Sequence, residues 1–461
     1  MNINSLYLPG FSHRLCGRRP QPEAVRLREK ADRLNGLAAL VARFIPKQVF
    51  GLDADQRDRI YTPWATFVAF LGQVLTRGSS CREAVRQVQA WRMASRRSIP
   101  NDKTGAYCQA RGRLPLRKLR DAQERIGAWL EQRVGGAYEW QGRVVKVVDG
   151  CGLSMPDTRK NRARWPYAGG QKRGCGFPTA QMVGLFCLAT GRLVHFAIDS
   201  WKAHEIPLAR LLVGWMKSGE IVLTDRGFCG WGLIALLQRK RVDVVMRLHQ
   251  GRPQKGGIRV WNKPQRGETW SKALWSELPE SLQVRIVRFQ IAVPGFRTEN
   301  VLLVTTLLDS VKYSDEMLAQ LYRRRWAVEL FFRDIKTTLG LDVLRCLTPA
   351  LVEKEIWMHA IAYNLVRALM VEAAWTHNIE IDRLSFKGTV DTLRQWAPLF
   401  SHAQANTRAA RSELLRIIAA DQVPNRPNRS EPRARKRRPK PYQMLTRPRH
   451  QMVVSPSRLL K

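Results

Sequence analysis

The sequence is short of acid. Lysine and arginine number 78 against 38 aspartates and glutamates, a formal net charge of +40 over 461 residues. An excess of that size calls for a polyanionic partner, most often nucleic acid. It supplies affinity for phosphates and carries no sequence information. Cysteine is sparse and scattered: the eight lie at 16, 81, 108, 151, 175, 187, 229 and 346, with no Cys-x-x-Cys among them. That pattern excludes the usual zinc spacings and gives a disulfide framework no support, so the cysteines read as small buried residues of a reduced cytosol. Long apolar runs are missing. The best, residues 301–308, contains two threonines and is far too short to span a membrane. The N-terminus lacks the charged-then-apolar order of a signal peptide. The glycine-rich stretch 169–176 is not followed by Lys-Ser or Lys-Thr, which excludes a phosphate-binding loop and nucleotide hydrolysis with it. No internal repeat is present.

What remains is a chain with 44% hydrophobic residues, enough for real cores, and a length that suits about two to four domains. Residues 1–140 read as a helical domain. Thr62-Pro63 opens one helix, Ser79 or Ser80 caps the next, Asp102 starts a third and Leu116 to Val134 forms a fourth. Arg82, Arg86, Arg92, Arg96, Arg97, Arg111 and Arg113 make this region either a DNA-binding domain or a bundle with an ordinary charged surface. From 143 the pattern changes. Val144–Asp149, 181–189, 193–198, Ile221–Asp225 and 242–248 read as strands, with helices at 205–215 and 230–240. Turns join the first three strands and helices separate the rest, so both antiparallel and parallel pairing are expected: a mixed α/β sheet.

Residues 250–312 break that rhythm and read as a β-rich insertion containing Trp261, Trp270 and Trp275. A long helix is expected from Ser314 or Asp315 to about Gly340. Two further helical segments, 354–375 and onward to about 415, complete the globular part, and from 423 to 461 the chain becomes a basic Pro- and Arg-rich tail.

Two of the strands end in aspartate, Asp149 and Asp225, and the long helix carries Glu329. A strand-end aspartate alone is more often a turn or cap residue. The three together form a carboxylate set suited to a pair of Mg²⁺ ions. Tyr322, Arg325, Glu329 and Lys336 follow a Tyr-x2-Arg-x3-Glu-x6-Lys spacing. At about 100° per residue they fall within an arc of roughly 60°. The apolar residues Met317, Leu321, Val328, Phe332, Ile335 and Leu339 occupy a neighbouring stripe. Carboxylates for metal in so basic a chain point to an enzyme that cuts a phosphate backbone. His204-Glu205 opens a helix and reads first as a cap, with an added carboxylate near the metals as the other reading. His195 reads as a packed strand residue.

The sequence resembles the DDE transposases of the insertion-sequence-four family, whose diagnostic motif is that Tyr-Arg-Glu-Lys spacing. Asp149-Gly150 with Met155-Pro156-Asp157-Thr158 is similar to the family's first-aspartate motif, and Asp225-Arg226-Gly227-Phe228 to its second. The runs 174–178, 363–367, 385–396 and 426–449 also match. The resemblance implies a ribonuclease-H-like mixed-sheet catalytic core (141–249 and 313–345) with a β-rich insertion (250–312). A helical N-terminal domain (1–140), a helical C-terminal region (346–422) and the basic tail (423–461) flank it. It implies Asp149, Asp225 and Glu329 as ligands of two Mg²⁺ or Mn²⁺ ions. It implies Tyr322, Arg325 and Lys336 as contacts to DNA near the cleavage point. The insertion tryptophans could stack on an extruded base or simply pack in a core. The implied partners are DNA, both terminal inverted repeats and target, and a second copy of the chain in the DNA complex. The implied setting is the bacterial cytoplasm, on the nucleoid, with no membrane. Cys151 departs from the small hydroxyl residue that relatives carry after Asp-Gly. The alternative is a non-catalytic DNA-binding relative acting as repressor or architectural factor, and a nuclease on the same core is a third reading.

Overall fold

The computed structural model describes residues 33–51, 60–167, 175–248, 255–291, 299–401 and 407–424. The basic tail from 425 onward and Gly174 of the matched run 174–178 lie outside these described residues.

The N-terminal helices form where their caps require. Thr62 accepts a hydrogen bond from the Ala65 N–H and opens Pro63–Leu75; Ser80 does the same for Glu83 and opens Cys81–Ala94. The third helix, Gly105–Arg113, starts three residues later than Asp102, and Leu116–Val134 forms as expected. Of the arginines on these helices Arg111 stands apart. It is buried and stacks on Phe70 and Tyr107 at 4.8 and 5.2 Å, so it belongs to the core, whereas Arg82, Arg86, Arg96, Arg97 and Arg113 are exposed.

The strands are β1 (Val145–Ser154), β2 (Thr179–Cys187), β3 (Leu193–Ser200), β4 (Ile221–Thr224), β5 (Asp243–Arg247), β6 (Gly257–Asn262), β7 (Ser281–Ile291) and β8 (Glu299–Thr305). They build one eight-stranded sheet in the order β3-β2-β1-β4-β5-β8-β7-β6. β1 runs antiparallel to β2 and parallel to β4, and β4 runs parallel to β5. This mixed sheet with helices on both faces is the ribonuclease-H-like core. β1 does not stop at Asp149. β2 pairs with it as far as Ser154 and carries the strand through the aspartate. The segment expected as an insertion contributes β6, β7 and β8, which extend the same sheet through the antiparallel β5–β8 pair.

Alternation along the strands divides the core in two. Val145, Val147, Ile221 and Leu223 face one cluster, shared with the N-terminal helices and the long helix Pro349–His377. Val148, Val222, Val244 and Met246 face the other, shared with the helices Glu205–Leu212 and Trp231–Arg239. Lys146 tolerates its buried place in β1 because Glu220 lies 2.6 Å away and the Trp215 carbonyl accepts from its ammonium. His195 is packed as expected, stacked 4.1 Å from Trp215.

The signature segment begins at Ser314, whose hydroxyl accepts from the Met317 N–H. It is not one uniform α-helix. Asp315–Arg323 is α-helical, Arg324–Trp326 tightens to a 3₁₀ turn, Ala327–Arg333 is α-helical again, and Asp334–Thr338 widens into a π turn. Gly340 then leaves the helix with φ +88°. The tight turn falls between Tyr322 and Glu329 and the wide one between Glu329 and the end of the helix, so the four signature residues sit on differently wound turns.

Candidate active site

Parallel register sets the site. Val148 of β1 pairs with Thr224 of β4, so the next residues, Asp149 and Asp225, stand side by side where β4 ends. By alternation both share a face with Val147 and Leu223, the face that also packs Leu321, Val328, Phe332 and Ile335 of the signature segment. Glu329 is exposed on that segment, and its charge, with that of Asp225, bears on Asp149. Each aspartate is oriented by a nearby backbone N–H, Asp149 within β1 and Asp225 at the turn that follows β4. Asp149 Oδ1 accepts from the Gly150 N–H at 2.8 Å, and Asp225 Oδ1 accepts from the Gly227 N–H at 2.5 Å.

Burial holds the Asp149 carboxyl above the usual carboxylate range. The Gly150 N–H and Arg325 pull it down, and the charges of Asp225 and Glu329 push it up again. The cluster has the hard oxygen donors that Mg²⁺ or Mn²⁺ prefers and a like-charge repulsion that a cation would relieve. That chemistry fits a divalent ion. Among the described residues no three His, Cys, Asp or Glu side chains are yet drawn into a common coordination sphere.

Arg325 is buried, and among the described residues no carboxylate lies within ion-pair distance of it. Its guanidinium sits 5.6 Å from the Tyr322 ring centroid and 5.3 Å from that of Trp326. Neither its Nε nor the buried Tyr322 hydroxyl completes a well-aligned hydrogen bond. Burial pushes the Tyr322 phenol up to about 12, so it stays protonated and able to donate. Lys336, in the π turn, is half-buried and close enough to Cys151 for its charge to act on the thiol. Burial nonetheless pushes that thiol up to about 12, so Cys151 stays neutral beside the carboxylates.

Glu205 corrects the reading of His204-Glu205 as a cap. His204 occupies the N-cap without a side-chain hydrogen bond to the helix. Glu205 turns instead toward the strand ends, where its Oε1 accepts from Gln181 Nε2 at 2.8 Å. Burial raises its carboxyl, and the charges of Asp149 and Asp225 raise it further. This is the other of the two sequence readings, an added carboxylate at the strand ends, and spacing alone could not choose it because the approach depends on how the helix packs on the sheet.

The three insertion tryptophans come together. Trp261, Trp270 and Trp275 join Trp231 around a cavity of about 540 Å³ that reaches Ile206 and Gly230, close to the carboxylates in the chain. They are not equivalent. Trp270 is buried beneath Arg210, whose guanidinium lies 4.5 Å from its ring, while Trp261 and Trp275 are half-buried. Trp231, outside the insertion, was not foreseen; its indole donates to the Trp261 carbonyl at 3.1 Å.

Comparison with known proteins matches this architecture. A family model described as a transposase DDE domain matches residues 140–365. Transposase InsG of insertion sequence element IS4 from Escherichia coli K12 is 25% identical over 363 residues, covering 73% of this chain and 77% of that protein. The putative transposase InsL of element IS186A, from the same organism, is 40% identical over 73 residues, 16% of this chain and 18% of its own length. Among solved structures, a piggyBac transposase synaptic complex with hairpin DNA aligns over 85% of each chain with 10% identity and a TM-score of 0.40, too loose a likeness to bear on function. With both aspartates and the signature glutamate inside the match, residues 140–365 are a transposase DDE domain, and over most of its length the chain is similar to the IS4 transposase.

Proposed function

We propose that this transposase binds the terminal inverted repeats of its insertion sequence, cleaves DNA strands there and joins the freed ends to target DNA. The observation that supports the reading is the parallel register that sets Asp149 beside Asp225, with Glu329 near enough for its charge to act on Asp149 and a buried arginine that has no ion-pair partner among the described residues. Asp149, Asp225 and Glu329 would hold two Mg²⁺ or Mn²⁺ ions. Such ions, when bound, activate the attacking oxygen and stabilise the leaving one. Water and a 3′-hydroxyl are interchangeable nucleophiles for in-line attack, so one carboxylate set serves both cleavage and joining.

The chain's own residues do the positioning. Arg325 offers a planar fork to a phosphate and keeps it beside Asp149. The Tyr322 hydroxyl donates to a phosphate oxygen, and Lys336 adds a point charge on the same side. Trp261 and Trp275 border a cavity wide enough for a base, on which they would stack; Trp270 holds the wall behind them. The exposed arginines of the N-terminal helices and the basic tail add phosphate affinity without sequence preference. Two equivalent ends are best served by two copies of the chain, so the active species is a homodimer on DNA.

The test is to mix the full-length protein with DNA carrying the element's own ends, a target plasmid and Mg²⁺. End-specific nicks and joined products support the proposal. Specific binding with neither product would favour the non-catalytic reading.

A further inference from the structure

Carboxylates reach the strand ends from both faces of the sheet. Asp149 and Asp225 share the face of Val147 and Leu223, while Gly150 falls on the opposite face, with Val148. The helix Glu205–Leu212 packs on that opposite face. Gly150 has no side chain, and Glu205 fills the gap: a Cβ at 150 would lie 2.1 Å from Glu205 Oε1 and 3.0 Å from Gln181 Nε2. The second oxygen, Oε2, would lie 3.4 Å from a Cβ on Gly227, in the turn whose N–H orients Asp225. One oxygen is therefore fixed by the Gln181 amide, and among the described residues no donor reaches the other. A glutamate that only braced its helix would gain nothing from facing two aspartates across two glycines. Like charges gathered this way destabilise the fold unless a cation sits among them.

We infer that Glu205 is a fourth carboxylate of the metal-holding set, entering through the gap left by Gly150 and kept in place by Gln181. The inference rests on the proposed metal-dependent chemistry and adds to it a residue outside the three-carboxylate signature. Gln181 is a positioning residue: it holds one oxygen of Glu205 so that the other faces the site.

The test uses the full-length protein without DNA and Mn²⁺ as the probe. Bound Mn²⁺ is followed by loss of the free-ion paramagnetic resonance signal, and Tm is read in chelator. Three proteins are compared: wild type, Glu205→Gln, and Asp149→Asn as a control. The expected result for Glu205→Gln is a Mn²⁺ midpoint weakened about tenfold or more together with a Tm in chelator that rises, because one of the repelling charges is gone. A merely structural brace predicts the opposite pair, a lowered Tm and an unchanged midpoint, and that result overturns the inference. If Asp149→Asn weakens Mn²⁺ binding and Glu205→Gln does not, Glu205 is no ligand while the three-carboxylate site stands. If neither variant changes binding, the metal reading of the whole site falls as well. Should Glu205→Gln fail to fold, Glu205→Asp retains the charge but draws it back by one methylene. Its midpoint should weaken at near wild-type Tm, and a wild-type midpoint would overturn the inference.

Discussion

Asp149 and Asp225 are neighbours because Val148 and Thr224 are partners in a parallel pair. The parallel register brings two aspartates far apart in sequence side by side where β4 ends, while β1 runs on past Asp149 to Ser154. A helix presenting Glu329 needs only to cross at that point, and the packing of Val328, Phe332 and Ile335 against the same core makes it do so.

Arg325→Lys separates DNA contact from structural support. The charge is kept and the planar fork is lost. Cleavage of an end substrate should fall by about tenfold, worth roughly 1.4 kcal/mol, with overall DNA binding reduced less. The melting temperature of the free protein should hold, since Arg325 has no ion pair to break among the described residues. A variant that melts early yet cleaves normally once folded would sink the contact role.

The tryptophans should divide by burial. Trp270→Ala should destabilise the protein by about 3–5 kcal/mol in chemical denaturation, because it opens a hole beside Gly232 and Arg210. Trp261→Ala should lose less stability and more strand processing. Equal stability losses with unaltered processing would assign both rings to the core.

Acid should weaken the fold through His359. Burial pushes its imidazole down to about 3 from an ordinary 6.5, with Arg345 adding to the effect. The native state refuses a proton that the unfolded chain accepts, so this contribution is fully present above about pH 6.5 and is lost as pH falls. Between pH 6.5 and 5 it amounts to about 2 kcal/mol. His359→Leu should narrow the gap between melting temperatures at pH 7 and pH 5 relative to wild type. An unchanged gap would show that the histidine titrates freely.

The tail's role is one of salt dependence. Deleting residues 426–461 should flatten the fall of DNA affinity with log salt, since fewer phosphates are neutralised. An unaltered slope would show that the tail does not touch DNA.

The strand-end aspartates and the signature helix were legible because local pattern determines them: β-branched runs ending in Asp, and a stripe of apolar residues flanking the Tyr-Arg-Glu-Lys spacing. The succession of the first five strands along the chain, and the mix of antiparallel and parallel pairing, were legible from turns and intervening helices. What local pattern does not encode is which edge a later strand will join. The 250–312 segment read as a β-rich insertion and does supply three strands, but nothing in its pattern shows that β8 joins the sheet beside β5. Arg111 looked like surface charge because nothing in its neighbourhood reveals that Phe70 and Tyr107 enclose it. Glu205 looked like a cap because its partners, Gln181 and the space over Gly150, arrive only when helix and sheet are packed.

The central claim is that Asp149, Asp225 and Glu329 supply metal-dependent strand cleavage and little of the DNA affinity. It is tested most directly by measuring cleavage and gel-shift binding side by side for Asp149→Ala, Asp225→Ala and Glu329→Ala on DNA carrying the element's ends. Each variant should lose cleavage by about a thousandfold or more, corresponding to roughly 4 kcal/mol or more of transition-state stabilisation, while the shifted band persists at near wild-type protein concentration. Full cleavage by any one of the three, above all Glu329→Ala, would contradict the account.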